Sequence, residues 1–169
     1  LFRAGKLTLK SISAMKYENK KRNVIGITMG DPCGIGPEVV LKALTSQRIR
    51  NEADYVIIGS ERILRDVAEN LTLKVKIHSH HRNSGFSKMV EGVSDGINVL
   101  DLGNVSGWDT FSRKPLPECG SASVEYIQEA ISLVMGKRID AMVTAPVSKE
   151  AIKMPGFEFT GHTELLKEM

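Results

Sequence analysis

Aromatic residues are scarce, 5% of 169 residues with a single tryptophan, Trp108. A core therefore has to be built from Ile, Val, Leu and Met, and the 41% apolar content suffices for one domain of ordinary size. Cysteine is nearly absent as well. Cys33 and Cys119 form no C-x-x-C pair and no disulfide framework, so two reduced thiols in a cytoplasmic protein are expected. No apolar run is long enough to cross a bilayer, which leaves no membrane partner to expect. The loop glycines Gly30, Gly34 and Gly36 fit neither a Gly-Lys-Ser/Thr phosphate loop nor G-x-G-x-x-G. No Ser-His-Asp or Cys-His set is identifiable, and no base lies beside Cys33 in sequence.

The formal charge of +3 is unevenly spread. Residues 1–22 carry a net +6 from Arg3, Lys6, Lys10, Lys16, Lys20, Lys21 and Arg22 against Glu18, which leaves the rest of the chain at −3. A mildly acidic body without a basic stripe argues against a nucleic-acid partner. The basic segment has no patterned apolar residues, which predicts disorder up to about Asn23. An upstream extension or an organelle transit peptide would have this character, and Met15 is an internal candidate start.

What the chain does contain is Ile25 to Glu38, IGITMGDPCGIGPE, an apolar strand running into a Gly/Pro loop and then a helix. Pro37 suits the first helical turn, and the start of a helix presents N–H groups to an anion. Val39, Val40, Ala43 and Leu44 are expected to form the apolar face of that helix. An ordinary strand-to-helix turn explains the same residues.

Further on, Gln47–Asp54 reads as a polar connection and Tyr55–Ile58 as a buried strand ending at Gly59. Ser60 and Glu61 open a helix with Ile63, Leu64, Val67, Ala68 and Leu71 on one face. Leu73, Val75 and Ile77 alternate with lysines as in a half-exposed strand, and a polar segment from Ser79 to Ser87 follows. Ile97–Leu102 suits a short strand, and Gly103–Gly120 a long loop. Ser121 is a candidate cap for a helix ending at Gly136. Ile139 to Val143 predicts a buried strand, after which Thr144–Lys149 turns into a short helix. Strands alternating with helices imply an α/β layer with a largely parallel or mixed sheet, which binds ligands beyond the carboxyl ends of its strands.

Candidate site residues fall in three clusters. Asp31 follows Gly30 and suits either a substrate contact or a turn. Thr144, Ser148 and Lys149 offer two hydroxyls and a cation for a phosphate or carboxylate, though a capped helix with an exposed lysine is the simpler account. His162, inside Phe159-Thr160-Gly161-His162-Thr163-Glu164, can hydrogen-bond a substrate or move a proton, or simply sit at a helix start. His78 and His80 have the i, i+2 spacing of a strand-borne metal pair, but no Cys or nearby acid completes the set.

MGDPCGIGPE at 29–38, IDAMVTAPVSK at 139–149 and FTGHTE at 159–164 together closely resemble the 4-hydroxythreonine-4-phosphate dehydrogenase family of pyridoxal phosphate biosynthesis. The resemblance implies a fold like isocitrate and isopropylmalate dehydrogenases, with two α/β domains flanking a cleft, in a homodimer. It implies oxidation of 4-phosphooxy-L-threonine with NAD or NADP, followed by loss of CO₂ to give 3-amino-2-oxopropyl phosphate. His162 and Thr163 match the substrate-holding histidine and threonine of the family, and Asp31, Thr144, Ser148 and Lys149 fall in its other motifs.

The divalent metal (Zn, Mg or Co) is bound in the family by histidines beyond TGHTE, and much of the cofactor site also lies there. Residues 23–169 are therefore expected to be the N-terminal α/β portion of a longer enzyme, carrying substrate motifs, inactive by itself and without a metal site of its own. Cys33 stands where the family commonly has alanine, and Ser148 where many members have His or Asn. The latter leaves a related phosphorylated hydroxy acid, such as 4-phospho-D-erythronate, as the alternative substrate. A non-catalytic phosphate-ligand binding domain is the alternative of a different class.

Overall fold

The computed structural model describes residues 22–82, 95–105 and 114–158. The basic segment 1–21, Trp108 and the TGHTE motif with His162 and Thr163 lie outside the described residues.

Among the described residues five strands form one sheet: β1 (Val24–Thr28), β2 (Asp54–Gly59), β3 (Ile77–His81), β4 (Ile97–Asp101) and β5 (Ala141–Thr144), in the order β3-β4-β2-β1-β5. All four pairings are parallel. Val56, Ile57 and Ile58 are consecutive and fully buried, as they must be in a central strand covered on both faces. Helices α1 (Gly36–Thr45) and α3 (Glu61–Asn70) pack against one another. Helix α4 (Pro117–Met135) lies along β1, β2 and β5 and packs on the short helix α5 (Lys149–Lys153). The expected α/β class and largely parallel sheet are thus observed.

Several local expectations are corrected. Gln47–Glu52 is a short helix, α2, not a plain connection. The third strand begins at Ile77, where the alternation of Leu73 and Val75 was expected to end it. The histidine segment itself pairs with β4, from Ile77 beside Ile97 to His81 beside Asp101. On α1 the buried face is Pro37, Val40, Leu41 and Leu44, while Val39 is 46% exposed. Helix α4 starts at Pro117, four residues before Ser121, because proline is well placed in a first turn whose N–H has no partner to lose. Its predicted end at Gly136 is observed.

The largest correction concerns β5. Apolar composition predicted a buried strand, but among the described residues β5 is a sheet edge with Ala141 and Val143 exposed, and the burial lies just before it in Ile139. Arg22, at the head of β1, donates hydrogen bonds to the Arg50 and Ala53 carbonyls and pairs with Asp54.

Truncation should separate centre from edge. Ile57→Ala on β2 is expected to cost about 2–5 kcal/mol, through lost transfer energy and a cavity. Val143→Ala on β5 should stay within about 0.5 kcal/mol of wild type. Urea unfolding of the two variants measures both values, and equal losses would contradict the edge placement.

Candidate functional site

The sheet changes direction at β1. From it the chain passes through α1 and α2 to β2 on one side, and it returns through α4 to β5 on the other. The carboxyl ends of β1 and β5, with Thr28 beside Thr144, therefore flank the crevice where open parallel sheets take ligands. The glycine loop leaves β1 here and the Thr144–Lys149 segment leaves β5. Two of the three sequence clusters are neighbours in space.

The contact between them is main chain to main chain. The Asp31 N–H donates to the Pro146 carbonyl at 3.1 Å, and Ala145 N–H to the Thr28 carbonyl at 3.1 Å. Gly30 has φ +76°, and a methyl group there would overlap the Pro146 carbonyl, so both its conformation and its crowding require glycine. Behind the loop, Ser123 on α4 shares its hydroxyl proton between the Cys119 carbonyl at 2.7 Å and the Gly30 carbonyl at 3.3 Å.

Asp31 is buried and closes the loop on itself. Its Oδ1 accepts from Cys33 N–H at 2.8 Å while its carbonyl accepts from Gly34 N–H at 3.0 Å, which is turn chemistry. Burial pushes its carboxyl above the ordinary aspartate range, and the Cys33 N–H opposes this in part. Ser148 caps α5 by accepting from Ala151 N–H at 3.1 Å, which leaves its own hydroxyl proton to donate. Thr144 is half-buried and Lys149 exposed.

The cysteines overturn the expectation of two separate thiols. Cys33 and Cys119 meet as a disulfide, Cα atoms 6.2 Å apart across 86 residues of sequence, both buried. Cys119 sits in the first turn of α4, so the bond ties the glycine loop to that helix. Neither cysteine nor Ser123 was legible as a loop anchor. The available signal was the small-residue run Cys119-Gly120-Ser121-Ala122-Ser123, whose Gly120 lets α4 approach the Ala151 carbonyl of α5.

Asp31, Cys33 and Cys119 offer three donor atoms within 4.8 Å of one another, the one such group among the described residues. With the sulfurs joined and an Asp31 oxygen accepting from Cys33 N–H, this set does not fit a divalent ion as it stands. The histidines of β3 do not gather either. His78 faces Asp95 at 3.6 Å, His80 faces Asn98 at 3.4 Å and His81 faces Asp101 at 4.0 Å. A cavity of about 250 Å³ lies at the opposite, amino-terminal end of the sheet, bordered by Arg22, Asp54, Tyr55 and Ile97. It is at the wrong end for the loop chemistry, and Arg22 within it is already paired.

The family model for the pyridoxal phosphate biosynthetic protein PdxA matches residues 51–169. The chain belongs to this family. It is 38% identical over 146 residues to D-threonate 4-phosphate dehydrogenase of Cupriavidus necator, covering 85% of this chain and 41% of that protein. To 4-hydroxythreonine-4-phosphate dehydrogenase of Desulforapulum autotrophicum it is 32% identical over 147 residues, covering 87% of this chain and 42% of that one. Among solved structures, 4-hydroxythreonine-4-phosphate dehydrogenase from Burkholderia phymatum superposes with a TM-score of 0.79 at 32% identity, over 88% of this chain and 44% of that one. The chain thus spans less than half the length of these PdxA-family relatives.

Two measurements check the loop. Because Asp31 holds its proton more tightly in the folded state, its contribution falls as pH rises from the unfolded value near 3.8 through the raised folded one. Asp31→Asn keeps the oxygen that accepts from Cys33 and removes the buried charge. Its unfolding free energy should exceed that of wild type at pH 7, and the gap should close toward pH 3; a pH-independent difference would contradict this. Separately, reducing the disulfide should lower stability by about 2–5 kcal/mol, the loop-closure range for a bond spanning 86 residues, read from urea unfolding with and without reductant.

Proposed function

We propose that this chain supplies the phosphate-facing side of the substrate site in an NAD(P)-dependent dehydrogenase of a 4-phosphorylated 3-hydroxy acid. The observation that carries the reading is the meeting of the glycine loop and the Thr144–Lys149 segment at the carboxyl ends of β1 and β5. Lys149 and Thr144 are the groups for the phosphate, a cation and a hydroxyl beside a helix start. Asp31 acts by holding the turn rather than by touching substrate. The Ser148 hydroxyl donates to the ligand while its oxygen caps α5. His162 and Thr163 hold the remainder of the substrate.

The relatives' names describe one chemistry with two C2 substituents. 4-Phosphooxythreonine carries an amine where D-threonate 4-phosphate carries a hydroxyl, and both present a C3 alcohol and a terminal phosphate. The alcohol loses a hydride to NAD(P) and a proton to solvent or base, which makes a 3-keto acid that can release CO₂. A divalent ion, held by residues outside this chain, would stabilise the charge on that oxygen. A two-domain cleft of the isocitrate dehydrogenase kind and a homodimer belong to the same reading. The alternative is a phosphate-binding domain without catalysis, which the same two segments at the carboxyl ends of β1 and β5 would serve.

Calorimetry with 4-phosphooxy-L-threonine, D-threonate 4-phosphate and unphosphorylated threonine tests the site. Both phosphorylated acids should bind and threonine should not. Lys149→Ala should weaken binding about 10- to 100-fold, the ~1.5–3 kcal/mol of a hydrogen bond to a charged group. Equal affinity for threonine would overturn the assignment. NAD(P) reduction separates enzyme from binding module. In an active protein, chelation should abolish turnover and His162→Asn should raise KM or lower kcat, whereas binding without any NAD(P) reduction would establish the module.

A further inference from the structure

The two cysteines of this chain lie 86 residues apart, yet their sulfurs meet behind the loop that flanks the candidate site. Cys33 lies inside the turn closed by Asp31, directly before the exposed Gly34 and Ile35 that lead into α1. Cys119 lies on α4, which is fixed by its packing along β1, β2 and β5. The loop has other holds, through the Pro146 carbonyl and the Ser123 hydroxyl, but these are single hydrogen bonds. The disulfide is the covalent one.

We propose that Cys33–Cys119 is a reversible cross-link through which a dithiol reductant controls anion binding at the site that the glycine loop shares with Thr144–Lys149. This rests on the substrate-site reading above. A thiolate of the reductant attacks the Cys33 sulfur, on the loop side that can open. The S–S bond breaks and Cys119 leaves as a thiolate at the positive end of α4, then takes a proton. The second reductant thiol attacks the mixed disulfide and releases Cys33, so two electrons and two protons pass to the protein. Reoxidation by a low-molecular-weight disulfide reverses the exchange and returns two thiols.

Both sulfurs are buried, so exchange requires the loop to lift from α4. With the bond closed, residues 30–36 are held for a ligand; with it open, part of the binding energy is spent on ordering them. Linkage then runs both ways: whatever factor the closed bond adds to phosphate affinity, bound phosphate adds to the resistance of the bond to reduction.

The test uses the folded chain in three forms: oxidised with glutathione disulfide, reduced with dithiothreitol, and Cys33→Ala/Cys119→Ala. Alkylation and intact mass should find no free thiol in the first and two in the second. Inorganic phosphate affinity, by calorimetry, should fall at least fivefold on reduction and recover on reoxidation. The double variant should match the reduced form and ignore reductant. Saturating phosphate should shift the dithiothreitol ratio for half-reduction by the same factor as the affinity change.

Two free thiols after glutathione disulfide treatment overturn the proposal, as does an unchanged phosphate affinity. Tight zinc uptake by the reduced chain with phosphate affinity unaltered also overturns it, because the cluster is then a metal site. If phosphate binds neither form, the substrate-site reading fails, and amide exchange judges the cross-link alone. Faster exchange at residues 30–36 on reduction upholds it, and equal exchange removes it.

Discussion

The parallel pairing of β1 with β5 is the constraint from which the candidate site follows. Ile25 to Thr28 run beside Ala141 to Thr144, so the two strands end level and the segments that follow them emerge side by side. A one-residue slip would carry the Pro146 carbonyl away from Asp31 N–H and turn every β5 side chain to the other face. The pairing is closed at its other end by Asp140, whose carboxylate accepts from Val24 N–H at 2.7 Å while its own N–H donates to the Val24 carbonyl at 2.8 Å.

Because the glycine loop meets the segment after β5 backbone to backbone, side-chain volume is the resource that junction lacks. Gly30 faces Pro146, Gly36 faces the Met29 carbonyl, and Gly120 faces Ala151. Each brings two main-chain segments closer than any Cβ allows. The loop is shaped by what is absent from its residues, and its anchors are a carbonyl, a hydroxyl and a sulfur. Asp31 fits this arrangement: its carboxylate replaces a missing main-chain acceptor within the turn, at the cost of a buried charge that its neighbours only partly offset.

Elements with a local signature were legible in the sequence. Ser60 capping α3, Gly136 ending α4 and Pro37 opening α1 are short-range chemistry, and each sits where its type predicts. What could not be read is whatever depends on which strand ends up beside which. Apolar composition made β5 look central, although the edge position is set by strand order and not by its own residues. The histidine segment pairs as β3 because Ile97–Asp101 offers it an edge, despite its polar character. The same limit applied to the site. The glycine loop and the Thr144–Lys149 segment were visible as clusters, and their adjacency follows from the parallel-sheet rule. The Cys33–Cys119 bond and the Ser123 anchor span 86 and 93 positions, a separation over which one sequence carries no pairing signal.

The position of β1 also governs how the chain is made. Its first partner, β2, leaves the ribosome soon after it, but its other neighbour begins at Ala141, more than a hundred residues later. Until Ala141 emerges β1 is an open flank on a growing parallel sheet, and before α4 and Pro146 are made the loop after Thr28 has neither to rest against. Contacts of such separation form late and slowly, and an unpaired apolar flank is open to other nascent chains in the meantime. The glycine loop thus gains its support more than a hundred residues after it is made, and a chain released before Thr144 lacks what gives that loop its conformation.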